Sequence, residues 1–204
     1  LLGSSRIFAI DNNEYRLKLA QEQGAECINF DQEDPIEVIK DNTKGLLADV
    51  VIDAVGIDAV KPSHGPAQKI SKRYEKEFNE ELKKIAPNSN PSGSNWIPGN
   101  APSQALRLAV DLVKKCGTIS IIGVYPETAE AYPIGKAMNK NLRIVMGNCP
   151  HRKYIPNLLL KVAEGAIDPT KILTQITPLT NALDAYKKFD QREMGWVKVA
   201  LKIK

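Results

Sequence analysis

The residues able to do soft-metal chemistry are few and scattered: Cys27, His64, Cys116, Cys149 and His151. No C-x-x-C pair and no pair of histidines at i,i+4 occurs, so the spacing of a zinc site is absent, and only Cys149 with His151 could form half of one. No Ser/His/Asp arrangement can be argued from spacing. What the chain does offer is an acid at the end of an apolar run. "RIFAID" (6–11) reads as a strand ending on Asp11, and "NNEYRLKLAQEQG" follows at once as a helix. In a nucleotide-binding βαβ unit, an acid at that spot accepts hydrogen bonds from ribose hydroxyls. The plain alternative is a helix N-cap paired with Glu14 in a capping box. Both roles are compatible, because a carboxylate has several acceptor sites. Arg16, five residues after Asp11, can fold back over the helix start toward the same ribose, or stay solvated.

Three further strand ends carry glycine. Val55 and Gly56 end "ADVVIDAVG" (48–56), Gly123 and Val124 follow Ile122 in "TISIIGVYP" (118–126), and Gly147 with Asn148 ends "NLRIVMGN" (141–148). Glycine lets a ligand approach the backbone closely, and in an open parallel sheet the carboxyl ends of the strands line the ligand crevice. Simple turns are the competing explanation. Lys198, on the last strand, reads from the residues alone as a solvated lysine.

The elements that position these residues alternate. Beyond the first strand and helix, "AECINF" (25–30) is a strand, 34–43 a helix started by Pro35, and 48–56 a buried strand. Residues 103–117 read as a helix stopped by Gly117, followed by strands at 118–126 and 141–148. Helices at 153–165 and 181–191 flank an extended run at 171–179, and 196–203 is the last strand. An insert over 57–101 breaks the rhythm. It holds a charged helix at 67–85, with Ile70, Tyr74, Phe78, Leu82 and Ile85 on one face and Arg73–Glu77, Lys76–Glu80 and Glu80–Lys84 as i,i+4 pairs. A Pro/Gly/Ser/Asn-rich loop follows at 87–102, and "LLGSS" (1–5) reads as the tail of a helix. The pattern predicts an α/β fold with a doubly wound parallel sheet and helices on both faces.

The chain of 204 residues is 43% hydrophobic, enough for one sizeable core, and its net charge of +4 is spread among acids rather than gathered in a nucleic-acid stripe. No apolar run is long enough for a transmembrane helix, and no signal peptide is visible, so no membrane partner is indicated. Three odd, distant cysteines point to a reducing, cytoplasmic setting.

Taken in order, "RIFAIDNNEYRLKLAQEQGAECINF", "ADVVIDAVG", "ALRLAVDLVKKCGTISIIGVYP", "MNKNLRIVMGN" and "FDQREMGWVKVALKIK" resemble the C-terminal part of the zinc-dependent medium-chain alcohol dehydrogenase superfamily. His64-Gly65 in the insert and "PIGKAMNKNLRI" look most like its formaldehyde-dehydrogenase branch. The resemblance implies a Rossmann domain over 1–165, carrying the insert, and a segment over 166–204 that returns to the catalytic domain. It implies NAD as cofactor and an alcohol or aldehyde as substrate. Asp11 would take the adenosine ribose, with Arg16 beside it, while Val55, Gly56, Ile122, Gly123 and Val124 pass along the cofactor. Gly147 and Asn148 would fix the carboxamide, and Lys198 would face the pyrophosphate. An acid at Asp11 repels a 2′-phosphate, and Asn12 and Asn13 supply no cation to offset that. The glycine-rich loop, the first strand of the sheet and the zinc ligands are expected upstream, so that residues 1–204 alone neither hold catalytic zinc nor oxidise alcohols. The resemblance also implies a homodimer or tetramer formed through the edge strand 141–148. Two rivals remain: a Rossmann-like module that binds a protein partner, and a zinc-free, NADP-linked reductase of the same superfamily.

Overall fold

A computed structural model describes residues 3–86 and 98–203. The sequence expectations for Leu1–Leu2 and for most of the 87–102 loop lie outside those residues. Strand β1 (Phe8–Asp11), helix α1 (Glu14–Glu22), strand β2 (Glu26–Asn29) and helix α2 (Pro35–Asn42) come first. β3 (Ala48–Asp53) leads into the insert, which holds α3 (Gln68–Lys72) and α4 (Glu75–Ile85). Then come α5 (Gln104–Leu112), β4 (Val113–Ile121), α6 (Ile134–Asn139), β5 (Arg143–Met146) and α7 (His151–Ala163). β6 (Gln175–Pro178), α8 (Ala182–Asp190) and β7 (Val199–Lys202) close the chain.

All strand pairs are parallel, as the alternation predicts, but they fall into three sheets: β1-β2, β3-β4-β5 and β6-β7. The first five strands thus form two parallel pieces among the described residues, β1-β2 and β3-β4-β5. β1 and β3 each keep an edge with no strand partner among the described residues. α5 holds the two parts together: Leu106, Ala109 and Val110 pack with Ile119 and Ile121, while Leu112 packs with Ile28 and Ile39. Val51 packs against both clusters. In β2, Cys27 Sγ meets the Leu17 carbonyl of α1 and the alternate residue Ile28 meets α2, so that pair has helices on both faces. The three-stranded sheet differs from expectation. Its Val51–Ile119–Ile144 face is packed, whereas Val50, Ile52 and Val145 on the other are exposed. The whole chain exposes 13953 Å², against about 9,500 Å² for a compact monomer of this mass.

Several boundaries move for physical reasons. α5 stops at Leu112 rather than at Gly117, because Lys140 Nζ takes the Val110, Asp111 and Val113 carbonyls at 2.8, 3.1 and 2.7 Å. A lysine ends the helix where a glycine was expected. Gly117 lies inside β4, where a Cβ would sit 2.6 Å from Val113 Cγ2 and 2.9 Å from the Asp49 carbonyl, and the preceding Cys116 has φ 58° at a break in register. The insert helix breaks at Arg73–Tyr74, and its i,i+4 pairs give way to longer-range ones: Glu75 with Lys61, Glu77 and Glu81 with Arg107, Lys84 with Glu130. The Arg107 guanidinium lies 4.2 Å over the Tyr74 ring at that break. Its apolar face does turn inward, with Phe78 buried. In the last segment β6 and β7 pair with each other and with no other strand among the described residues.

Candidate functional site

The plain alternative for Asp11, the N-cap of α1, is set aside by the structure. Asn13 caps the helix, its Oδ1 accepting from Arg16 N at 3.1 Å, and Glu14 is the first helical residue rather than the far member of a capping box. Asp11 is left for other work. Its Oδ1 accepts from Asn12 N at 2.8 Å, Asn13 N at 2.9 Å and Arg16 Nη2 at 2.6 Å. Its Oδ2 accepts no hydrogen bond from the described residues. One oxygen is pinned by three donors, and the other remains to accept from a ligand. Arg16 therefore does fold back over the helix start, and it orients the acid.

The ends of β3 and β4 form one knot. Asp53, 3% exposed, accepts from Val55 N at 2.9 Å and Gly56 N at 3.1 Å on Oδ1, and from Tyr125 Oη at 2.6 Å on Oδ2. Its carbonyl accepts from Ile122 N and Gly123 N, both at 2.9 Å. Burial, reinforced by the hydrogen bond to Asp53, drives the Tyr125 pKa far above the ordinary phenol value, so the hydroxyl stays a donor. Gly56 has φ 69°, and a Cβ there would sit 2.5 Å from Val124 N; a Cβ on Gly123 would sit 2.3 Å from Gly56 N. The two glycines are required by each other's backbone before any ligand is considered. Val55, Gly56, Ile122, Gly123 and Val124 are thus gathered at one place, where Val55, Ile122 and Val124 are exposed. Asp53 and Tyr125 were missed as members of this site. The signal was available for Asp53: "VVID" ends on an acid as "FAID" does.

Gly147 is brought alongside, since Ile121 pairs with Met146 and the next residues are Ile122 and Gly147. It has φ 142°, and nothing lies within 4 Å of where its Cβ would be. Asn148 follows it, exposed. Lys198 is not brought to the group. Its carbonyl accepts from Thr174 N and Gln175 N, while its side chain is exposed on the C-terminal layer. Its neighbours Trp196 and Val197 instead line a cavity of about 520 Å³, together with Asn13, Arg16, Asp58 and Phe189. Arg192 closes that wall, 3.9 Å from Asp58 Oδ2.

Among the described residues no group of three His, Cys, Asp or Glu side chains comes together as a metal site. The residues here do not fit a catalytic zinc, which needs three protein ligands. No helix of the described residues is long and apolar enough to cross a membrane.

A family of zinc-binding dehydrogenases matches residues 1–69. An uncharacterized zinc-type alcohol dehydrogenase-like protein, AdhB of Bacillus subtilis (strain 168), is 35% identical over 204 residues, covering 99% of this chain and 47% of that protein. The alcohol dehydrogenase TADH from Thermus sp. ATN1 superposes over 100% of this chain and 45% of its own, with a TM-score of 0.70 and 26% identity. These matches support the zinc-dependent medium-chain alcohol dehydrogenase superfamily for this chain. A likeness of fold alone is found with a structure described as a short chain alcohol dehydrogenase (rspB) from E. coli CFT073 complexed with the cofactor NADH, with TM-score 0.62, 20% identity, 98% of this chain covered and 45% of that one. The chain spans about half the length of the dehydrogenase relatives it matches. Within them it corresponds to the Rossmann-like, coenzyme-binding half.

Proposed function

We propose that this segment binds NAD for a zinc-dependent alcohol dehydrogenase of the formaldehyde-dehydrogenase type. The observation that carries the reading is Asp11, with Oδ1 held by three donors and Oδ2 open beside Arg16. A carboxylate so oriented accepts from both hydroxyls of an adenosine ribose and opposes a 2′-phosphate, favouring NAD over NADP. The exposed Val55, Ile122 and Val124 offer an apolar wall along the same strand ends, and Gly147 and Asn148 extend it. When bound, the nicotinamide accepts a hydride from the alcohol. This segment's part is to hold the cofactor; the knot at Asp53 keeps the β3 and β4 ends fixed while it does so. His64-Gly65 and "PIGKAMNKNLRI" support the formaldehyde branch. Three free cysteines suit a reducing cytoplasm. The edge of β5 beyond β4 is unpaired among the described residues and suits strand pairing with a second copy, giving a dimer.

The test is an NMR titration of the chain with ADP-ribose and with its 2′-phosphate. Shifts of the Asn12, Asn13 and Arg16 amides are expected with ADP-ribose, weaker with the 2′-phosphate. Asp11→Ala should cost about 1–3 kcal/mol of that binding, the worth of hydrogen bonds to a charged group. Equal response to both ligands, or unchanged binding in the variant, would overturn the reading.

A further inference from the structure

The cofactor reading leaves the insert without a role, yet the insert is fastened to the loop that carries Asp11. The fastening is Asp31, just past the end of β2 and 8% exposed. The register of β1 on β2 sets Asp11 opposite Asn29, and Asn29 Oδ1 accepts from Asp31 N at 2.9 Å. Asp31 faces two ways. Its Oδ1 accepts from the backbone N of Ser63, in the insert, at 2.6 Å, and its Oδ2 accepts from Asn12 Nδ2 at 3.2 Å. The insert lies hard against this point: Gly65 has φ 77°, and a Cβ there would be 2.2 Å from the Asp31 carbonyl oxygen. Gln68 Nε2, at the start of α3, in turn donates to the Ser63 carbonyl at 2.6 Å. Asn12 stands between two acids, its side-chain amide on Asp31 and its backbone N–H on Asp11.

We propose that Asp31 is a positioning residue for Asp11: through Asn12 it ties the first turn of the insert to the ribose-binding loop, so that the insert sets the site's affinity for the adenosine ribose. The functional half rests on the reading of Asp11 as the ribose acid; the mechanical half does not. A carboxylate is required because only it presents two acceptors and no donor to two N–H groups arriving from opposite sides. A desolvated acid with both oxygens engaged holds a loop more firmly than a solvated one, since releasing either partner leaves a buried charge short of a bond. The hydrogen bonds that order Asp11 Oδ1 come from Asn12 N and Asn13 N, so loosening Asn12 misaims the acid.

Amide hydrogen exchange on the chain, followed by NMR, tests the mechanical half. In Asp31→Ala, protection at Ser63 is expected to fall, and with it protection at Asn12 and Asn13, whose N–H groups bond Asp11 and not Asp31. Asp31→Asn keeps one acceptor but turns a donor toward its other partner; protection at Ser63 should survive while that at Asn12 and Asn13 falls. The Ile119 amide in β4 reports whether either variant has simply lost its fold. If Ser63 loosens alone, Asp31 only anchors the insert and the proposal is overturned. ADP-ribose titration tests the functional half: Asp31→Ala should raise its Kd roughly 3- to 10-fold, the scale of one hydrogen bond, and should have no further effect in Asp11→Ala. An equal effect in both backgrounds would overturn it. Wild-type chain that binds no ADP-ribose would instead defeat the reading of Asp11, with the exchange result still deciding the coupling.

Discussion

Tyr125→Phe and Tyr132→Phe remove the same atom from two partly buried phenols and should have different consequences. Tyr125 Oη donates to Asp53 Oδ2 at 2.6 Å, and Asp53 is 3% exposed. Deleting that hydroxyl leaves a buried carboxylate oxygen without its donor, which costs about 1.5–3 kcal/mol for a bond to a charged group. No cavity is added, since phenylalanine keeps the ring. For a chain of this size each kcal/mol moves Tm by about 2–4 °C, so a fall of roughly 3–12 °C follows. Tyr132 Oη is also buried, but has no hydrogen-bond partner among the described residues, and burial raises its pKa. Its removal discards a desolvated polar atom and should be neutral or stabilising, within about 0.5 kcal/mol or better. Urea denaturation followed by circular dichroism measures both, with m-values compared to confirm that the unfolded surface is unchanged. Equal losses would refute the claim that the Asp53 pairing holds the β3 and β4 ends. As a second readout, the Gly56 and Val55 amides bound to Asp53 should exchange faster in Tyr125→Phe alone.

Lys140→Met keeps the aliphatic stem but loses the ammonium that caps α5; a loss of about 1–2 kcal/mol is expected, discounted because burial lowers the lysine pKa and so costs some of the gain. A midpoint shift below the error of the urea experiment would contradict the assignment of the helix stop. Gly123→Ala places a Cβ against Gly56 N and should destabilise by about 1–3 kcal/mol; a neutral result in thermal melts would show that the two strand ends are not packed backbone to backbone. Burial pushes the Asp31 pKa up, but hydrogen bonds from the Ser63 backbone and side chain and from Asn12, with the charge of His64, outweigh it and hold the pKa below the ordinary aspartate value. A depressed carboxylate contributes stability above its unfolded pKa and loses it as pH falls through the folded one. Stability should therefore drop below about pH 4, and drop less steeply in Asp31→Asn; parallel acid titrations of the two proteins would refute it.

The backbone order was legible because it depends on local signals. Apolar runs such as "ADVVID", Pro35 at a helix start and the alternation of strands with helices all act over a few residues. Asp11 and Arg16 were legible for the same reason, being five residues apart across the start of α1. The rest depended on partners far along the chain. Nothing near Leu112 announces that Lys140 will take its helix's carbonyls, and nothing near Asp53 announces Tyr125. The i,i+4 pairs on the insert helix were sound local chemistry, but Lys61, Arg107 and Glu130 offered competing charges, and Arg107 could also lie over Tyr74. The gap between β1 and β3 is of another kind: each of the two strands keeps an edge with no strand partner among the described residues, a matter of which strands meet rather than of a local signal.

Every strand pair among the described residues is parallel, so none of them is closed by a hairpin, and each waits for a crossover to be traversed. The insert sits in the crossover from β3 to β4, making it more than double the length of the one from β4 to β5. Closing a longer loop costs only about 0.6 kcal/mol per doubling, so the extra residues weigh little in the equilibrium. Their weight falls on the search: the pairs that run from Val50 with Thr118 to Asp53 with Ile121 share the greatest sequence separation in these sheets, and such contacts form slowly. The exposed edges of β1, β3 and β5 stay available to other chains during that wait. Yield on refolding, rather than final stability, should be what shortening the insert improves.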